Sequence, residues 1–183
     1  MKLSIIGSSS KDTILKNSKI SQEDLNALIS QLGTYAASLA AELIIVPDEG
    51  IPFEIAKAYK EAGGHKVTGI VPLLDKKFGV EHIREFIGIL DETVDVKTWY
   101  EADGEIASFG DLCICIGLSP GSLVEICMMK YHAKFLDKKI PLIIFENTFS
   151  GKLPEEIKEQ LYELTYVQRM DELADVVKKR FLS

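Results

Sequence analysis

The segment from Asp111 to Glu125 carries the clearest chemical pattern in the sequence. Leu112 to Ile116 is a short apolar run that predicts a buried strand. The small residues from Gly117 to Ser122 predict a turn, and helical apolar spacing begins at Leu123. A strand, a small-residue turn and a helix in this order direct the N–H groups of a helix N-terminus at an anion. We therefore predict an anion site, most simply a phosphate site, at this turn.

Glu125 follows this turn at helical spacing. It lies four residues after Gly121 and three after Ser122, so the three share one side of the helix. An acid there can meet the sugar or the base of a ligand whose phosphate sits on the helix N-terminus. The alternative is that Glu125 only stabilises the helix dipole. The predicted ligand contacts of the turn are Gly117, Leu118, Ser119, Gly121 and Ser122.

Two further loops follow strands and contribute candidate contacts. Gly7, Ser8 and Ser9 come directly after the first apolar run and offer close backbone approach and hydroxyl groups. The turn 47–52 contains Gly50 but also two acids, Asp48 and Glu49. Carboxylates repel a phosphate unless a cation intervenes. We therefore expect this second loop to receive ribose hydroxyls or a basic ligand, or merely to cap a helix.

Alternating strand and helix patterns must position these loops. The continuous apolar strands predict burial on both faces, and so an α/β fold with a mostly parallel sheet and helices on both faces. We predict one Rossmann-like nucleotide-binding domain over residues 1–183, with its ligand beyond the carboxyl ends of the strands. The apolar runs are Leu3–Ile6, Leu43–Val46, Val67–Val71, Leu112–Ile116 and Ile140–Phe145.

The remaining elements are less regular. Phe86–Leu90 and Thr93–Thr98 both predict extended chain, the second as an edge strand, and Trp99 to Phe109 predicts a helix. Pro154 predicts the start of a helix with Ile157, Leu161 and Leu164 on its inner face, and a last helix carries Leu173 to Phe181. The best-marked helix follows the N-cap candidate Ser21.

Composition limits the function classes. The chain has 183 residues, 46% hydrophobic residues and a net charge of −7, with no basic stripe, so we expect no nucleic-acid partner. No apolar run approaches the roughly 18 residues that span a bilayer and no leader pattern is visible, which predicts no membrane association and a cytoplasmic location. Cys113, Cys115 and Cys127 lack metal-ligand spacing and predict small buried residues. We expect no metal and no cofactor.

Three stretches in order resemble the LOG family, the lysine-decarboxylase-like or SLOG-type Rossmann proteins. They are Gly7 to Ser10, Glu61 to Pro72 with its Gly63-Gly64 pair, and Gly117 to Glu125 at the place of the family pattern Pro-Gly-Gly-x-Gly-Thr-x-x-Glu. The order and spacing hold over roughly residues 1–147, whereas the tail helices are generic. The resemblance implies a homodimer and a nucleotide-like ligand.

The chain departs from the family at its catalytic positions. Active members pair an arginine with the glutamate that Glu125 resembles, and they release the base of a nucleoside 5′-monophosphate. By the family spacing that arginine falls near Ala102, and the sequence has no arginine between Arg84 and Arg169. Lys97, Lys130 or a partner subunit would have to supply the missing cation.

Three interpretations stay open at this point. The first is a protein that binds a nucleotide or nucleotide-derived metabolite with weak or no catalysis. The second is an enzyme, a nucleoside 5′-monophosphate phosphoribohydrolase in which Glu125 stabilises the oxocarbenium-like transition state. The third is a dimeric scaffold without a ligand, joined through the stripe Ile126, Met129 and Ala133.

Overall fold

A seven-stranded sheet forms the centre of the molecule in a computed structural model that describes residues 1–73 and 83–181. All strand pairs are parallel, in the spatial order β4-β3-β2-β1-β5-β6-β7. The predicted α/β class with helices on both faces is thereby confirmed. The strands are β1 Lys2–Gly7, β2 Glu42–Ile45, β3 Val67–Val71, β4 Glu92–Asp95, β5 Leu112–Ile116, β6 Leu142–Phe145 and β7 Leu164–Val167.

Helices cover both faces because the side chains of each strand alternate between two apolar cores. Leu3 and Ile5 belong to the core under α2, α3 and α7, whereas Ile6 and Cys113 belong to the core under α4 and α5. None of the helices described is both long enough and apolar enough to traverse a lipid bilayer. Within the described residues the α-helices are α1 Lys11–Asn17, α2 Gln22–Ser38, α3 Ile51–Glu61, α4 Trp99–Phe109, α5 Pro120–Phe135, α6 Glu155–Lys158 and α7 Met170–Phe181.

Local sequence signals place most of these elements correctly. Val67–Val71, Leu112–Ile116 and the helix Trp99–Phe109 agree residue for residue with the predicted bounds. Ser21 caps α2 as expected, because its hydroxyl accepts a hydrogen bond from the N–H of Asp24 at 3.0 Å. Gly63 lies two residues after the end of α3 with a φ of 85°, the left-handed conformation in which glycine commonly ends a helix.

Two predicted elements are wrong. The helix expected after Pro154 ends at Lys158, and Leu164 begins strand β7 instead of continuing the helix. Pairing of β7 with β6 overrides the helical spacing of Ile157, Leu161 and Leu164, because it satisfies the backbone groups of the sheet edge. Phe86–Leu90 is not extended either, since residues 87–89 form a short 3-10 helix.

The three cysteines divide between the core and the surface. Cys113 and Cys115 are buried in β5 as predicted, and burial raises the pKa of both thiols well above the usual value. Cys127 is exposed on α5, so the prediction that it is buried is wrong. Only a thiolate reacts readily with disulfide reagents, and only where the reagent reaches it.

We therefore expect one reactive thiol in the native protein. A chromogenic disulfide reagent should modify one cysteine per chain under native conditions and three after denaturation. In Cys127→Ser the native reaction should disappear and two thiols should react after denaturation. Rapid modification of a second thiol in the native protein would contradict the burial of β5.

Candidate functional site

A cleft opens at the point where the strand order reverses. From β1 the chain adds β2, β3 and β4 on one side and then returns to place β5 on the other side of β1. The loops after β1 and β5 therefore separate at their carboxyl ends and leave a crevice, which is where parallel α/β sheets bind ligands. The cleft encloses about 220 Å³ and is bounded by these two loops, the loop after β2 and the start of α4.

Most of the predicted site residues meet in this cleft. Seven of the ten line it, and three do not: Gly50 and Gly117 shape the loops behind it, and Leu118 packs toward the core under α4 and α5. The lining residues predicted from the sequence are Gly7, Ser8, Ser9, Ser119, Gly121, Ser122 and Glu125.

The turn after β5 offers fewer N–H groups than its sequence suggests. Ser119 and Ser122 form a reciprocal capping box, in which each hydroxyl accepts from the other residue's N–H at 3.2 and 2.8 Å. The N–H of Gly117 donates to the Thr148 hydroxyl at 2.9 Å, and Pro120 has no N–H. Within residues 1–73 and 83–181, Leu118 and Gly121 are left as the N–H groups of this turn without a partner. An anion bound at this turn would therefore accept hydrogen bonds from two backbone N–H groups, fewer than the small-residue sequence of the turn suggests.

The loop after β1 is held by its own contacts. The Ser8 hydroxyl donates to the carbonyl of Ser10 and accepts from the N–H of Ser10, so this hydroxyl already has partners within the loop. Ser9, by contrast, is exposed and lines the cleft. Gly50 packs directly on this loop, and the N–H of Ile51 donates to the Ser8 carbonyl at 3.0 Å. The loops after β1 and β2 therefore form one wall whose shape depends on Gly50.

Glu125 is the most unusual side chain of the cleft. The residue lies in the second turn of α5, is only 8% exposed and lines the cleft, yet its Oε2 atom has no hydrogen-bond partner among the residues that the structure describes. Burial raises the pKa of its carboxyl well above the usual value, and the neighbouring Asp103 carboxylate adds to the effect. A buried carboxyl without a partner is costly, so its presence in a cleft marks a candidate ligand contact.

Helix α4 supplies two lining residues that are not among the predicted site residues, Trp99 and Asp103. They are four residues apart and so lie on one face of the helix, and this spacing in the sequence indicates that the two residues are neighbours. Burial and the charge of Asp48 raise the pKa of Asp103. Ala102, the position at which the arginine of the LOG family falls, is fully buried in the core and does not line the cleft. The charged residue that α4 contributes to the cleft is the acid Asp103.

The electrostatics of the cleft are acidic. Asp48, Glu49, Asp103 and Glu125 all line it, and its described lining contains neither lysine nor arginine. In the same part of the chain, no group of three or more histidine, cysteine, aspartate or glutamate side chains has the arrangement of a metal site. The cleft thus combines four carboxyl groups with two unpartnered N–H groups in the turn beside it.

Comparisons with known proteins find solved structures whose overall fold is similar to that of this chain. No protein-family model and no curated protein matches the chain. The X-ray structure of TM1055 superposes with a TM-score of 0.69 at 17% identity, covering 97% of this chain and 98% of that one. The molybdenum cofactor carrier protein of Chlamydomonas reinhardtii gives 0.67 at 18% identity, covering 100% and 98%. DNA processing protein A of Helicobacter pylori, described with a single-stranded DNA binding mode, gives 0.59 at 12% identity, covering 98% and 80%.

These likenesses concern the fold, because all three identities are below 20%. They extend over nearly the whole of this chain. The chain therefore shares the α/β fold of these three structures, in agreement with the Rossmann-like fold predicted from the sequence.

Proposed function

We propose that the chain binds a nucleotide or nucleotide-derived metabolite in the cleft between the loops after β1 and β5, with little or no turnover. The observation that carries the proposal is Glu125, whose Oε2 atom has no hydrogen-bond partner within the described ranges and which lines a cleft at the point where the strand order reverses. A small ligand with donor groups would satisfy this carboxyl. A similarly folded structure is named as a molybdenum cofactor carrier, which supports a small-molecule ligand for this fold.

The acidity of the cleft favours a small molecule over DNA. The DNA-binding protein of similar fold shows that a nucleic acid is a possible partner for the fold. Here, however, the net charge is −7 and four carboxyl groups line the cleft, and a polynucleotide backbone needs several cationic contacts. A single nucleotide needs only local contacts.

Calorimetry with nucleoside monophosphates tests the proposal, and we expect binding that depends on the cleft. In Gly121→Leu the new side chain enters the cleft, because a Cβ at Gly121 meets only the Ser119 hydroxyl at 3.8 Å. We expect at least about a tenfold loss of affinity. Gly151→Leu adds the same side chain on an exposed loop with open space and should bind normally. Absence of binding at millimolar nucleotide, or equal binding by both variants, would overturn the proposal.

The second candidate is the phosphoribohydrolase, favoured by the position of Glu125 in the cleft. Two observations weaken it. Neither Lys97 nor Lys130 lines the cleft, and Lys130 instead lies over the Tyr131 ring at 5.8 Å. The raised pKa of Glu125 also favours the neutral acid, which stabilises an oxocarbenium ion less than a carboxylate does. Free-base release from adenosine 5′-monophosphate by the wild type, lost in Glu125→Gln, would establish this activity.

We keep the homodimer as a proposal, but its predicted surface is wrong. Ile126 and Met129 are buried in the core and therefore not available to a partner. The exposed apolar residues of α5 are Val124, Tyr131 and Phe135, and the last two rings stack with centroids 6.1 Å apart. This surface is the better place for a second copy.

A further inference from the structure

The Glu125 carboxyl has an unsatisfied oxygen within the described part of the chain. Its Oε2 atom is buried and has no hydrogen-bond partner among residues 1–73 and 83–181, although the side chain lines an open cleft. A buried polar atom of this kind is costly unless a partner arrives from outside. A partner that donates hydrogen bonds suits the ionised form of this carboxyl, because a carboxylate only accepts them.

The neighbouring charges narrow the chemistry of that partner. Asp103 on α4 and Asp48 after β2 lie on the same cleft, and both act electrostatically on this cluster. Three carboxyl groups repel a phosphate or a carboxylate placed among them. They attract a positively charged group or one rich in N–H donors. The phosphate of a nucleotide would therefore lie away from Glu125, toward the amides of Leu118 and Gly121.

Trp99 also lines this cleft. It lies one helical turn before Asp103 on α4, and both residues line the cleft. Indole rings interact favourably with aromatic rings and with planar cations through their π-system. A cleft lined by an indole and by carboxyl groups therefore suits a planar group that carries several N–H donors.

We propose that Glu125, with Asp103 and Trp99, forms a subsite for an amidine- or guanidine-type nitrogen edge, which among nucleotide bases is the N1–H and 2-amino edge of guanine. This inference rests on the proposed function, because it names the part of the ligand that Glu125 recognises. A carboxylate accepts two parallel N–H bonds from such an edge, and bidentate pairs of this kind combine strength with geometric selectivity. Adenine offers a donor beside an acceptor and cannot satisfy both oxygens of a carboxylate.

The protonation of Glu125 gives this subsite a distinctive signature. Burial and Asp103 favour the neutral acid in the free protein. The other titratable groups around this cluster, among the described residues, are Asp48, Glu49 and the buried thiols of Cys113 and Cys115. Two N–H donors stabilise the carboxylate. Binding of guanine should therefore release a proton from the Glu125 carboxyl to the solvent.

Guanosine and inosine 5′-monophosphates provide a matched pair of probes, since inosine lacks only the 2-amino group. We expect the guanosine nucleotide to bind roughly 10- to 100-fold more tightly than the inosine nucleotide, because one charge-assisted hydrogen bond separates them. The adenosine nucleotide should also bind more weakly than the guanosine nucleotide. Calorimetry in two buffers of different ionisation enthalpy should show proton release with the guanosine nucleotide.

Variants connect this preference to the carboxyl. Glu125→Gln offers one acceptor and one donor, so the preference for guanosine over inosine nucleotide should fall to near unity, while Glu105→Gln, exposed on α4, should retain it. Thermal unfolding confirms that the variants are folded. Failure of every nucleotide to bind would overturn the proposed function as well. Equal binding of the guanosine and inosine nucleotides, or tighter binding of the adenosine nucleotide, would overturn this inference alone.

Discussion

Replacing Glu125 with methionine should stabilise the unliganded protein by about 1–3 kcal/mol at pH 8. The wild-type side chain holds a buried carboxyl oxygen without a hydrogen-bond partner among the described residues, whereas methionine fills a similar volume without a strongly polar atom. Urea unfolding followed by circular dichroism measures the difference. Glu105→Met, on the exposed face of α4, is the control and should change the free energy of unfolding by less than about 0.5 kcal/mol.

The gain from Glu125→Met should depend on pH in a defined direction. The pKa of Glu125 is higher in the folded protein than the usual value of 4.5, so the folded state holds the proton more tightly than the unfolded state. Wild-type stability therefore falls as pH rises from near 4.5 toward the raised pKa, and the variant lacks this contribution. We expect a small difference between the two proteins at pH 4 and a larger one at pH 8. A gain that is equal at both pH values would contradict the burial of an ionisable carboxyl.

A stability cost at this position has a functional meaning. Natural proteins keep locally unfavourable groups mainly where ligands or substrates use them, because stabilising substitutions are otherwise easy to find. If Glu125→Met both stabilises the protein and abolishes nucleotide binding, the lower stability of the wild type and its nucleotide binding both depend on the Glu125 carboxyl. The two measurements together therefore say more than either one alone.

Local patterns predict the sheet well because each strand satisfies a simple rule. The fully buried strands Val67–Val71 and Leu112–Ile116 lie in the interior of the sheet, where burial on both faces favours runs of mainly apolar residues. Edge strands obey weaker rules. Leu164–Val167 is only partly buried at the sheet edge, and its short sequence resembles the end of a helix. It becomes a strand because it pairs with β6, and the spacing of apolar residues within the segment does not indicate that pairing.

The site follows the same division between local and long-range information. The loops after β1 and β5 are visible in the sequence, because small residues follow apolar runs and the strand ends must meet at one edge. The hydrogen bonds of the turn are not visible. Thr148 lies 31 residues beyond Gly117 and occupies its N–H, and the capping pair uses two more amides. The acidity of the cleft likewise depends on the packing of α4, which brings Asp103 near Glu125.

Gly50→Ala should destabilise the protein by about 2–6 kcal/mol and weaken nucleotide binding, because Gly50 joins the two loops of one cleft wall. Its φ of 125° lies in a region that side chains other than glycine rarely adopt. A Cβ at this position would also stand 2.6 Å from the Ser8 carbonyl oxygen and 2.6 Å from the Ser9 Cα, both backbone atoms that cannot rotate away. Relief of this collision requires the loop after β1 to move, together with the cleft wall.

Gly63→Ala separates backbone strain from collision. Gly63 also has a positive φ, 85°, but a Cβ there meets nothing within 4 Å. This variant should therefore lose only about 1–2 kcal/mol and bind nucleotides as the wild type does. Urea unfolding of both variants, followed by calorimetry with guanosine 5′-monophosphate, makes the comparison. Equal losses of stability in the two variants would mean that the contact of Gly50 with the loop after β1 adds nothing, and the two loops could not then be treated as one rigid wall of the cleft.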